Sequence, residues 1–113
     1  LQALQLMNDV QHFEAARAFA ERLLTEGGQT PEERIAFAYR AVLARPPSPE
    51  EIAIVRSTLD QHLVRFGQDA EAAKKVVSNG ESKPKSGVPE TELAAYTMIA
   101  NLVLNLDETL NRN

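Results

Sequence analysis

Between Glu92 and Asp107 the chain runs for fourteen residues, Leu93–Leu106, with no charged side chain. At about 100° per residue this stretch reads as a helix with one narrow polar stripe, Thr97, Asn101 and Asn105, continued by Glu108. Leu93, Ala95, Tyr96, Ile99, Ala100, Leu102, Val103, Leu104 and Leu106 take up nearly all the remaining circumference. A helix that is apolar most of the way round has to be buried on most sides. It is too short for a bilayer, which needs ~20 apolar residues, so no membrane span is expected. The expectation is a central C-terminal helix, about Glu90 to Leu110, wrapped by others in a small all-α bundle. Whether the Thr97–Asn101–Asn105 stripe faces solvent or a neighbouring helix stays open.

The 113 residues make one domain's worth of chain, large enough to bury a core without covalent staples. There is no cysteine, which removes disulfides, thiolate metal sites and covalent haem attachment within this stretch. The net charge is −4, with all four lysines between 74 and 85. An acidic chain with no basic face is not expected to bind nucleic acid. The first residues, Leu1–Met7, already look like the middle of something, and the chain is read as a fragment of a longer protein.

Helix signals recur along the chain. Asp9 precedes a stretch from Val10 to about Thr25 with Val10, Phe13, Ala16, Ala20, Leu23 and Leu24 as its apolar stripe. Glu14, Arg17, Glu21 and Arg22 fall mostly elsewhere, where they suit surface ion pairs. Gly27-Gly28 ends this helix. Thr30-Pro31-Glu32-Glu33 and Ser48-Pro49-Glu50-Glu51 are capping-box starts, each with proline at the first helical position. They open helices reaching to about Ala44 and Phe66. The short Arg45-Pro46-Pro47 break makes residues 31–66 an antiparallel hairpin. Gly67 is expected to end the second of these helices, and Asp69 to cap a shorter helix, Ala70 to about Val77. Residues 79–89, rich in glycine, proline, serine and charge, read as a flexible loop. The predicted architecture is four main helices plus short pieces in a single domain, 1–113.

Three stretches, taken together, carry a family resemblance. They are Leu1-Gln2-Ala3-Leu4 through Asn8-Asp9 to Glu14-Ala15-Ala16-Arg17, then Arg40-Ala41-Val42-Leu43-Ala44-Arg45-Pro46-Pro47-Ser48-Pro49-Glu50-Glu51, then Leu104-Asn105-Leu106-Asp107-Glu108. In this order they resemble the C-terminal end of large planctomycete-type proteins that begin with a cytochrome-c-like domain followed by domains of unknown function. Tyr96 stands where that family often has tryptophan, and Val10 where proline is usual after Asn-Asp. The resemblance implies an extracytoplasmic parent, periplasmic or secreted, whose haem c is held in another segment. It implies no catalytic residue here.

The residues that invite a chemical reading each have a structural explanation. His12 lies three residues after Asp9 and His62 two after Asp60, but a metal site needs three or four converging ligands. Ser57, Asp60 and His62 share a helix at spacings that do not bring them together. Glu32-Glu33 and Glu50-Glu51 sit in first turns, where carboxylates favour the helix dipole. Arg40 and Arg45 flank the hairpin turn, positioned to meet an anion or a partner carboxylate, or to cap the last carbonyls of their helix. Leu1, Leu4 and Leu6 are apolar with nothing evident to cover them. The reading is therefore a helical docking or structural module with no catalytic, cofactor or metal residues. Its candidate interface is Leu1, Leu4, Leu6, Arg40 and Arg45, and its expected partners are upstream domains of the parent or a second copy. The alternative is one wall of a substrate- or carbohydrate-binding site completed by upstream domains.

Overall fold

The computed structural model describes residues 10–78 and 88–111. Among them the chain forms five helices and no strand: α1 Val10–Glu26, α2 Pro31–Leu43, α3 Pro49–Gln68, α4 Ala70–Ser78 and α5 Glu90–Asn111. The expected all-α class is found. The stretch called a flexible loop, 79–89, lies outside the described residues except for Val88 and Pro89, as do Leu1–Met7.

The helix starts follow the local signals. Thr30 and Ser48 each accept a hydrogen bond from the backbone N–H three residues on, and Glu33 and Glu51 reach back to the cap N–H, so both capping boxes are complete. Asp69 Oδ1 accepts from the Ala72 N–H at 3.1 Å and starts α4. Gly28, at φ 116°, takes the left-handed turn after α1, a conformation that glycine adopts without steric cost. A Cβ there would also lie 2.6 Å from the Glu33 carboxylate. The α2 end is less conventional, because Ala44 holds the left-handed position (φ 60°) and donates its N–H to the Arg40 carbonyl. Gly67 does not end α3, which continues one residue further to Gln68. A Cβ at Gly67 would meet nothing, so no close contact requires glycine there, and glycine disfavours a helix by only about 1 kcal/mol.

The uncharged helix is central, as its composition requires: α5 touches all four other helices, α1 most extensively. Arg34 Nε donates to the Gly28 carbonyl, and Arg34 Nη1 to the Tyr96 hydroxyl, so the α1–α2 turn sits beside Tyr96. Only six residues of α5 precede Tyr96. For α1 to lie along α5 it must run back toward the C-terminal half, so the two helices are antiparallel. Ala16, Ala20 and Leu23 of α1 and Leu93, Ala94, Ala95, Tyr96, Ile99, Ala100 and Val103 of α5 are buried in one core with Ile35, Tyr39, Leu59 and Phe66. The alanines let the backbones approach, and the larger side chains supply burial of about 1.5–3 kcal/mol each. In the hairpin, Arg56 of α3 donates to Glu32 at the start of α2 (2.6 Å). That link fits the predicted antiparallel pairing.

Two expectations about α5 and α1 are corrected. Leu102 and Leu106 were expected to be covered, yet they are 39% and 36% exposed. Periodicity shows which residues are apolar, and four helices around a 22-residue helix leave part of its C-terminal half open. Arg17, expected on the surface, is only 2% exposed.

Candidate functional site

Of the charged groups flagged as chemical candidates, Glu32, Glu33, Glu51, Arg45 and Asp60 are engaged in the fold, whereas Glu50 and Arg40 are exposed. Arg45 forms a bidentate pair with Glu51, both contacts at 2.9 Å, donates to the Pro46 carbonyl and lies over the Tyr39 ring at 5.5 Å. The carboxylate anticipated for Arg45 is thus within its own chain. The Arg45 guanidinium and the Ser48 N–H hold the Glu51 carboxyl down to about 2. Glu33 is likewise lowered, chiefly by the Gln29 and Thr30 N–H groups it accepts from. Burial of the Tyr39 phenol raises its pKa, with Glu51 adding to the effect. Glu32 pairs with Arg56, which also donates to Asp60 at 3.2 Å.

No catalytic convergence forms around the histidine on α3. His62 is half-buried and stacks on Phe66 with centroids 6.0 Å apart. Burial, aided by Arg65, pushes its imidazole below the usual range. Ser57 and Asp60 face outward, so the three do not meet. The His12 side chain lies outside the described residues. Among the described residues no three histidine, aspartate or glutamate side chains gather closely enough to hold a metal ion. No helix there is long and apolar enough to cross a membrane.

Arg40, the second cation of the candidate interface, is exposed at the rim of an open cleft of about 450 Å³ at the α1–α2 turn. The cleft's Glu33 is taken by the capping box and its Phe37 by the Arg22 guanidinium, 5.4 Å above the ring. Leu1, Leu4 and Leu6 lie outside the described residues. Among the described residues four large apolar side chains stand open: Ile54 and Val64 on α3, and Leu102 and Leu106 one turn apart on α5. Val64 lines a shallow trough of about 480 Å³ together with Ser57, Asp60, Gln61, Arg65 and Gln68.

Sequence reasoning missed two inward-turned arginines. Arg17 Nη1 donates to the Val77 carbonyl near the end of α4 at 2.8 Å, where a cation also meets the negative end of the helix dipole. The signal was present, since Arg17 falls in the row Val10, Phe13, Arg17, Ala20, Leu24 at alternating spacings of three and four. Arg34 covers the Tyr96 ring at 5.4 Å, a contact that no local pattern announces.

The family model described as PSD1: Protein of unknown function (DUF1553) matches residues 1–59, just over half of the chain. The chain belongs to the DUF1553 family. The matched DUF1553 region includes α1, α2 and the first half of α3, with both capping boxes. The family's description assigns no activity, in keeping with the resemblance to domains of unknown function. No curated protein and no solved structure matches the chain.

Proposed function

We propose that this DUF1553 segment is a non-catalytic helical module that docks against other domains of its parent chain. The observation that carries this reading is the opening of α5. The helix that forms the centre of the core leaves Leu102 and Leu106 uncovered one turn apart, and exposed apolar side chains on an otherwise well-buried element favour an interface. Glu32, Glu33, Glu51 and Arg45 add support, being committed to caps and ion pairs. The resemblance of the stretches at 1–17, 40–51 and 104–108 supports the finer setting. In that setting the parent is a large, extracytoplasmic, planctomycete-type protein with a cytochrome-c-like domain, this segment stands at its C-terminal end, and haem is held elsewhere.

The test is capture of the upstream segment of the parent by the chain, measured with and without residues 1–8 and with Leu102→Ser combined with Leu106→Ser. Binding by the intact chain that falls in both altered forms is expected. A chain that ignores the upstream segment, or one that binds haem or a metal ion tightly by titration, overturns the reading.

A further inference from the structure

The outward side of α3 carries a row of six exposed residues, Glu50, Ile54, Ser57, Gln61, Val64 and Gln68, spaced four, three, four, three and four apart. This is the spacing that keeps a row on one side of a helix facing a second helix. The row is also its own reverse. Read backward, aliphatic Val64 takes the place of Ile54, the Gln61 amide that of the Ser57 hydroxyl, and the Gln68 amide that of the Glu50 carboxylate. Ile54 and Val64 are the most exposed large apolar side chains among the described residues, at 66% and 59%.

We propose that α3 pairs antiparallel with α3 of a second copy of this chain, about a two-fold axis near Leu59. Ile54 then packs on Val64 of the second copy, the Ser57 hydroxyl meets the Gln61 amide, and Glu50 accepts from the Gln68 amide. Every contact occurs twice, as a two-fold interface requires. Charge complementarity selects this orientation. Arg65, exposed near the end of α3, falls beside the acidic first turn, Glu50 and Glu51, of the second copy. A parallel pair would set Glu50 against Glu50 and Arg65 against Arg65. The antiparallel arrangement also opposes the two helix dipoles. The adverse contact is Asp60 near Asp60 of the second copy, and Arg56 offsets each of these carboxylates from within its own chain. A single helix face of about 30 Å buries less than the roughly 800 Å² per partner of a standard interface. The pair is accordingly weak, with a dissociation constant on the order of 10⁻⁴ M. The proposal is independent of docking through α5.

The chain has no cysteine, so introduced thiols report the pairing directly. Full-length Ile54→Cys and Val64→Cys chains are mixed and oxidised mildly, with circular dichroism confirming that each remains helical. The mixed disulfide is expected in excess of its share from random collision, with little of either homodimer. In sedimentation equilibrium, Arg65→Glu and Glu50→Arg should each weaken the dimer, and the two together should restore it. Dominant homodimers, products in random proportion, or a strictly monomeric chain at about millimolar concentration would each overturn the proposal.

Discussion

Arg17 fills the space between α1 and the end of α4, and it gives the Val77 carbonyl a donor that α4 itself lacks. Arg17→Ala removes the donor and leaves a cavity, so it should cost ~2–4 kcal/mol in urea unfolding. Arg17→Met keeps most of the volume and removes a buried charge, so its cost should be about half that. Equal losses would mean that the hydrogen bond, and not the packing, is what matters. Glu51 makes a pH prediction. Its carboxyl titrates near 2 in the folded chain against an ordinary 4.5. A lowered folded-state pKa contributes stability that is present above the ordinary value and is lost as pH falls from 4.5 toward 2. The thermal midpoint should fall across that window, and Glu51→Gln should flatten part of the fall. At this scale the caps were legible because Thr-Pro-Glu-Glu and Ser-Pro-Glu-Glu act within four residues of backbone. The partners of Arg17 and Arg34 were not, because they lie 60 and 62 residues away.

At the level of the helices, α5 separates what periodicity reveals from what it does not. The uncharged run correctly identified the central helix. It could not show where neighbouring helices stop, so Leu102 and Leu106 were wrongly expected inside. The polar stripe proves mixed. Thr97 is fully buried and donates to the Leu93 carbonyl one turn back, whereas Asn101 and Asn105 are half-buried. Hydroxyls can satisfy themselves against their own helix in this way, which is why a threonine in a polar stripe does not by itself mark a wet face. Ile99→Ala should therefore cost ~2–5 kcal/mol, the range for a fully buried aliphatic side chain. Leu106→Ala should cost under about 1.5 kcal/mol, since the side chain is already partly in water. Chemical denaturation of the two variants checks this, and comparable losses would place Leu106 inside the core.

For the molecule as a whole, the most extensive helix contact joins α1 to α5, near opposite ends of the chain. The DUF1553 match stops at residue 59, well short of Glu90, where α5 begins. A chain cut to residues 1–59 would keep Ala16, Ala20, Leu23 and Ile35 but lose the helix they bury against. It should give weak helical circular dichroism and no cooperative melt, whereas the full chain melts cooperatively. A cooperative transition in the short chain would show that the hairpin suffices.

The same closure of first helix on last also has a timing. During synthesis the ribosome completes α1 long before it has made α5. At ~5–20 residues per second the gap between them is on the order of ten seconds. Through that interval Ala16, Ala20 and Leu23 lack the helix against which they are mainly buried. A nascent chain that stalls before Leu93 therefore leaves open the apolar stripe that α5 covers in the finished fold.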